Sequence, residues 1–163
     1  TTIEMDGAHA HLLFNHFPII GSIISVLVLV TGFLLKNNIV KKTALAIILF
    51  TSVMTIPAFT TGEEAEEALE AINQAPDSII HEHEELAEIG LWTTICVGLA
   101  AAFTFFNSRK KFGPRLFVVT LVILMANSIV LVKIGELGGV IRHTEIRQPG
   151  VMDNQIPESL EHE

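Results

Sequence analysis

Four long apolar runs dominate this sequence and constrain what it can fold into. They cover residues 12–35, 43–61, 89–107 and 116–141. A helix of about 20 apolar residues is long enough to cross the hydrocarbon core of a bilayer. Only 17% of the 163 residues are charged, whereas a soluble domain of this size has roughly 25%. The sequence therefore predicts an all-α integral membrane protein with four transmembrane helices, and it argues against a soluble single-domain enzyme and a disordered chain.

The charged residues are distributed unequally between the two ends of these predicted helices. All 18 Asp and Glu lie on one side, together with only three basic residues. The two connections on the other side carry no acid and the remaining basic residues, Lys36, Lys41, Lys42, Arg109, Lys110, Lys111 and Arg115. Short basic loops stay in the cytoplasm. We therefore expect an antiparallel four-helix bundle in a bacterial inner (cytoplasmic) membrane, with both termini on the periplasmic side.

The segments outside the apolar runs complete this organisation. Residues 1–10 contain Glu4 and Asp6 but no basic residue, so we expect the first run to be a retained helix rather than a cleaved signal peptide. Thr61 and Glu64 form a capping-box pattern that begins a short acidic surface helix over residues 63–73. We assign residues 1–147 to one four-helix membrane domain and residues 148–163 to a polar, acidic C-terminal tail. The net charge of −8, without a basic patch, argues against a nucleic-acid partner.

Histidine and glutamate recur at similar depths near the outer ends of the predicted helices. We counted residues outward along each helix from its basic end. Each helix has a histidine or glutamate about 20 residues, or about 30 Å, from that end, and a second histidine or glutamate about one turn further out. These positions are His16, Glu63, Glu88 and Glu136, followed by His11, Glu67, His83 and His143. Ionisable side chains near lipid are costly unless they face the bundle interior and have a partner. The pattern therefore predicts a cofactor or metal site near the periplasmic face.

The third helix offers two histidines, and its helical periodicity distinguishes them. His83 lies on the same face as Ile79 and Leu86, whereas His81 shares a face with acidic residues. We therefore expect His83 to face the bundle interior. Lys133, three residues before Glu136, is expected to form a local ion pair and to extend towards the membrane surface.

Two kinds of cofactor suit these residues. A b-type haem needs two neutral imidazoles on facing helices. His16 and His83 are the first choice as axial ligands, and His11 and His143 are the reserve ligands. Arg142 could pair with a haem propionate. A non-haem iron, copper, manganese or zinc ion would take mixed histidine and carboxylate ligands, as helical bundles provide. The candidate metal ligands are His11, His16, Glu63, Glu67, His83, Glu88 and His143.

Two further functional classes remain open at this point. The chain could be a purely structural accessory subunit of a larger respiratory membrane complex, with its polar outer end as the docking surface. It could also carry protons or metal ions, but the apolar runs show no obvious polar residue at mid-membrane, and this argues against a transport path.

Several sequence blocks resemble one bacterial family. HLLFNHFP, from His11 to Pro18, resembles the H-x4-H-F-P opening of the DUF2231 family of four-helix membrane proteins. TGEEAEE, HEHEELAE and GGVIRHTEIR resemble later blocks of one branch of it, so that the resemblance covers about residues 9–147. The chain departs from the pattern at Leu12, where many relatives have proline, and this should change only the entry into the first helix.

The resemblance implies a role in redox chemistry, because members of this family occur beside or fused to Rieske-type or cytochrome c-type domains. It therefore favours haem b over a non-haem metal, and an electron-transfer subunit over a stand-alone enzyme. The acidic outer face would attract a basic periplasmic redox protein such as a cytochrome c.

Overall fold

A computed structural model describes residues 7–70 and 76–143. Every regular element in these two ranges is an α-helix. Their bounds are α1 Gly7–Phe14, α2 His16–Leu34, α3 Asn38–Thr60, α4 Gly62–Glu70, α5 Asp77–Asn107 and α6 Gly113–Arg142. Four helical stretches are long and apolar enough to span a membrane, namely α1 with α2, α3 with α4, α5, and α6. The predicted all-α class with four apolar helices is confirmed, whereas the tail and residues 71–73 of the expected acidic helix lie outside the described residues.

Two tight turns end the helices on the basic side of the molecule. Lys36 adopts a left-handed backbone conformation with φ of 51°, which stops α2. The side chain of Asn37 then accepts hydrogen bonds from the backbone N–H groups of Ile39 and Val40, at 2.8 and 3.3 Å, and so caps the start of α3. Pro114 lies in the first turn of α6, where its missing N–H has no helical partner to lose.

Proline residues interrupt the helices near the opposite end. Pro18 has no N–H to donate to the carbonyl of Phe14, and its ring crowds that carbonyl. The structure accordingly separates α1 from α2 at Asn15. Pro57 lies inside the last turn of α3, which ends at Thr60 before α4 begins. Each proline thus lies within four residues of a break between two helices.

The long helices pack as neighbours around a shared core. α3 contacts α2 and α5, and α6 contacts α5 and α2, while α1 lies against α4 and the end of α3. α3 approaches both of its neighbours through small residues: a Cβ on Gly98 would lie 2.6 Å from Ser52 Oγ, and a Cβ on Gly21 would collide with Thr51. The core cluster consists of Leu29, Ala44, Leu45, Ile48, Val97, Ala101, Phe117 and Leu124.

The helix interfaces also contain polar side chains. Asn127, at the middle of α6, is only 4% exposed. Its Oδ1 accepts hydrogen bonds from the hydroxyls of Thr93 and Thr94 on α5, at 2.7 and 3.3 Å. The sequence interpretation that these runs hold no polar residue at their middle is therefore wrong. Large apolar side chains such as Leu27 and Leu99 are instead exposed on the outside of the helices.

Candidate functional site

Two histidines from different elements come together at the end of the helices opposite the basic turns, which we call the outer end. His11 belongs to α1 and His83 to α5, and both are half-buried. Their rings lie close enough to interact electrostatically. α1 is held there by its contacts with α3 and α4. This short helix, separated from α2 by the break at Asn15, thus places the His11 side chain at the end of α3.

His11 is oriented by the end of α3. The last four carbonyls of a helix lack intrahelical partners, and the carbonyl of Ala58 is one of them. His11 Nδ1 lies 2.9 Å from that oxygen and donates to it. This hydrogen bond assigns the proton to Nδ1 and leaves the lone pair of Nε2 available. The neighbouring carbonyl of Pro57 accepts from the Thr61 hydroxyl at 2.7 Å, so Thr61 closes α3 rather than using its hydroxyl as the expected capping box would.

His83 occupies space that glycine provides on the facing helix. A Cβ on Gly138 of α6 would lie 3.4 Å from His83 Cε1, and the backbone carbonyl of Ile134 also interacts with the ring. The Nδ1 atom of His83 is shielded from solvent and has no hydrogen-bond partner among residues 7–70 and 76–143. A buried nitrogen without a partner is uncommon, because it loses its interaction with water and gains nothing in return. His83 therefore presents a nitrogen that a ligand could satisfy.

The other histidine of this helix behaves differently. His81 is exposed, and its Nδ1 lies 3.4 Å from a carboxylate oxygen of Glu84. The expectation that His83, and not His81, faces inward is confirmed by this difference in burial.

The remaining candidate residues do not join His11 and His83. His16 is exposed, and its Nδ1 donates to the carbonyl of Leu12 at 3.1 Å, so it bonds back to α1 across the break at Asn15. The other candidate ligands are likewise exposed: Glu63, Glu67, Glu88, Arg142 and His143. Within residues 7–70 and 76–143, no three His, Cys, Asp or Glu side chains form a group that could hold a metal ion. The structure thus brings together two of the seven proposed metal ligands and gives His11 the place that the sequence assigned first to His16.

A glycine stands beside each of the two imidazoles. Gly62, the first residue of α4, would carry a Cβ 3.8 Å from His11 Cε1, much as Gly138 faces His83. At these distances a Cβ on either glycine would be in ordinary van der Waals contact with the ring, so each imidazole packs directly against its glycine. The pair presents two imidazole nitrogens that could take a ligand, Nε2 of His11 and Nδ1 of His83.

Other features of this end were partly foreseen. Lys133 Nζ lies 2.6 Å from Glu136 Oε2, so the expected local ion pair is confirmed. The role of the Ala58 carbonyl was missed in the sequence analysis. Pro57 near the end of an apolar run was its only signal, because a helix that ends nearby leaves carbonyls free to accept from a side chain.

Comparison with known proteins adds no further constraint. The chain matches no family model, no curated protein and no solved structure.

Proposed function

We propose that this chain is a multi-pass protein of the bacterial inner membrane that holds a b-type haem between His11 and His83 and takes part in electron transfer. The observation that carries the proposal is the pairing of these two half-buried imidazoles across the outer end. A six-coordinate haem takes two ligands from the protein, because the porphyrin supplies the other four nitrogens. When bound, the haem would supply reversible one-electron chemistry.

The surrounding residues have separate parts in this proposal. The carbonyl of Ala58 holds His11 in one tautomer and one orientation, as outer hydrogen bonds commonly do for metal-ligating histidines. Gly62 and Gly138 let the two rings pack directly against the backbones of α4 and α6. Arg142 is exposed one turn beyond Gly138 on the same face of α6, where it can pair with a propionate.

The proposed membrane placement rests on composition and charge. The four long helices expose large apolar side chains, and seven of the ten basic residues lie in the turns 35–37 and 108–112 or within five residues of them. We therefore assign these turns to the cytoplasm and the His11–His83 pair to the periplasmic side. The resemblance to the DUF2231 family belongs to the same proposal. A larger membrane complex or a basic periplasmic redox protein would be the electron-transfer partner.

Optical spectroscopy tests the haem directly. The chain is produced in a haem-sufficient bacterial host, purified in detergent, and examined by reduced-minus-oxidised difference spectra. We expect His11→Ala and His83→Ala each to abolish or shift the haem spectrum, because each removes one axial ligand. His81→Ala is the matched control, since it removes an exposed histidine from the same helix. Absence of haem from the wild-type protein, or an unchanged spectrum in both ligand variants, would refute the proposal.

A non-haem metal centre is the second candidate. The observation that favours it is the contact between the acidic helix α4 and α1, in which the Glu64 side chain packs against Gly7. Carboxylate and imidazole together suit iron, manganese or zinc. Metal analysis of the haem-free protein separates the two candidates: substitutions of Glu63, Glu67 and His83 should then lower the bound metal.

A further inference from the structure

A groove on the side of the molecule lies between α5 and α6, and we call it the α5–α6 groove. Its volume is about 470 Å³, which is within the range of small-molecule sites. Its polar residues lie towards the outer end, with Glu82 from α5 and Lys133 and Glu136 from α6. Its apolar residues lie on both sides of these charges: Leu86 and Ile129 are deeper along the helices, whereas Leu137 and Val140 are further out on α6. The charged groups therefore lie above a hydrocarbon stretch that continues towards the middle of the helices.

The charged part of the groove holds one cation beside two carboxylates. Lys133 Nζ and Glu136 Oε2 are 2.6 Å apart, and these side chains are 63% and 60% exposed. A lysine ammonium has three donors, so this contact leaves it able to bind another acceptor. Glu82 adds a second carboxylate to the same groove. Such a surface complements a headgroup that carries both a negative and a positive charge.

The depth of the groove matches the headgroup boundary of a bilayer. Lys133 lies 18 residues beyond Arg115, at the inner end of α6, and this is about 27 Å of helix. The hydrocarbon core is about 30 Å thick. Lys133 would therefore lie at the outer boundary of the core, and Ile129, one turn deeper, would lie within it.

A second groove accompanies the first. It is apolar, has a volume of about 230 Å³, and is lined by Leu27 of α2 and by Met125 and Ile129 of α6, among others. Ile129 lines both grooves and is 68% exposed, so it forms a ridge between them. Two hydrocarbon chains that descend from one headgroup at Lys133 could lie on either side of this ridge.

We propose that the α5–α6 groove is a binding site for a phospholipid with a primary-amine headgroup, namely a phosphatidylethanolamine. Its phosphate contacts Lys133, and its ammonium contacts Glu82 and Glu136. Its two acyl chains occupy the two grooves that flank Ile129. The carboxylates disfavour an anionic headgroup, whereas the quaternary ammonium of a phosphatidylcholine cannot donate hydrogen bonds to them. The proposal requires that the chain spans a membrane, as assumed above, but it does not depend on the haem.

Native mass spectrometry of the full chain in detergent tests this site with three probes that share dioleoyl chains: phosphatidylethanolamine, phosphatidylcholine and phosphatidylglycerol. One exposed charge contact changes affinity by about two- to fivefold. We therefore expect phosphatidylethanolamine to bind about two- to fivefold more tightly than phosphatidylcholine, and phosphatidylglycerol to bind no more tightly than phosphatidylcholine. Equal binding of all three, or tightest binding of phosphatidylglycerol, would overturn the proposal.

Variants locate the binding. Lys133→Gln should reduce phosphatidylethanolamine affinity about two- to fivefold, whereas Lys111→Gln, the same change at an exposed lysine on the basic side, should not. Ile129→Trp fills the ridge region without removing a charge, and it should also weaken binding. Each variant is first checked for wild-type helicity and melting temperature without lipid. Unchanged binding in both groove variants, or a dimer that occupies the groove and excludes lipid, would contradict the proposal.

A haem spectrum recorded on the same samples separates the two proposals. If the wild-type protein shows a haem spectrum but no preference among the three lipids, the lipid site is overturned and the haem proposal is supported. If the wild-type protein prefers phosphatidylethanolamine but contains no haem, the haem proposal is overturned and the lipid site is supported.

Discussion

The contact of Asn127 with α5 yields a stability prediction that can be worked from distances. Asn127 Oδ1 accepts from Thr94 Oγ1 at 3.3 Å, and its Nδ2 lies 3.1 Å from the same hydroxyl. Both residues are almost completely buried. Asn127→Leu keeps a similar volume and removes the amide, whereas Thr94→Val keeps the shape and removes the hydroxyl. We expect each change to weaken the association of α5 with α6.

The expected magnitude follows from interhelical hydrogen bonds in other membrane proteins, which contribute about 0.6 kcal/mol on average and up to about 1.7 kcal/mol. Asn127 also accepts from Thr93 Oγ1 at 2.7 Å. Thr93 Oγ1 is in addition 2.8 Å from the carbonyl of Ile89, so it keeps an acceptor when the amide is lost. We therefore expect Asn127→Leu to lower the free energy of unfolding by about 1–3 kcal/mol, and the coupling with Thr94 to be about 0.6–1.7 kcal/mol.

A double-mutant cycle measures this coupling. The four proteins are unfolded reversibly in mixed micelles with an increasing fraction of a denaturing detergent, and helicity is followed by circular dichroism. Ser128→Ala is the matched control on α6, because its hydroxyl donates to the carbonyl of Leu124 within the same helix. The control should change the free energy of unfolding by less than about 0.5 kcal/mol. A coupling between positions 127 and 94 below about 0.3 kcal/mol would refute the reasoning, because changes at independent sites add within about that error.

Three further outcomes follow from the structure and the proposed membrane placement. Gly98→Leu should destabilise the protein by about 1–3 kcal/mol in the same unfolding assay, because a side chain at this position meets Ser52. Gly139→Leu is the control and should leave the stability nearly unchanged, because no atom lies within 4 Å of a Cβ at Gly139. A tag inserted after Lys110 should be reached only from the cytoplasm and a C-terminal tag only from the periplasm, and periplasmic protease cleavage at Lys110 would reverse the orientation. If the haem exchanges electrons with a basic cytochrome c, the second-order rate of electron transfer should fall steeply between about 10 and 200 mM salt. The reason is that salt screens surface charges, over about 8 Å at physiological ionic strength. A rate that does not change with salt would exclude electrostatic attraction.

The helices could be predicted from the sequence because apolar length and basic turns are local signals. Each of the four apolar runs is helical, the first of them with a break at Asn15. Asn37 caps the start of α3 and Pro114 lies in the first turn of α6, and neither feature needs a tertiary contact. The break at Asn15 was within reach of the same reasoning, because the effect of Pro18 extends only four residues back along the chain.

The pairing of His11 with His83 could not be predicted in the same way. The sequence interpretation placed His16 first and His11 in reserve, and a count of residues along the helix axis does not show the direction of the segment before the break at Asn15. That direction depends on the contact of α1 with α3 and α4, and on the Ala58 carbonyl that the end of α3 leaves without a helical partner. Asn127 was overlooked for a related reason, because one amide within an apolar run hardly changes its mean hydropathy.

The hydrogen bonds of the buried hydroxyls bear on the order in which the helices assemble in a bilayer. Ser25 donates to the carbonyl of Gly21 and Thr55 to that of Thr51, so each is satisfied within its own helix. Such helices can enter lipid singly at little cost. The bonds that need a neighbour include those of Asn127 and the 2.8 Å contact of Thr104 with Thr120, and both join α5 to α6. We therefore expect α5 and α6 to insert together as a hairpin, on which α2 and α3 dock afterwards.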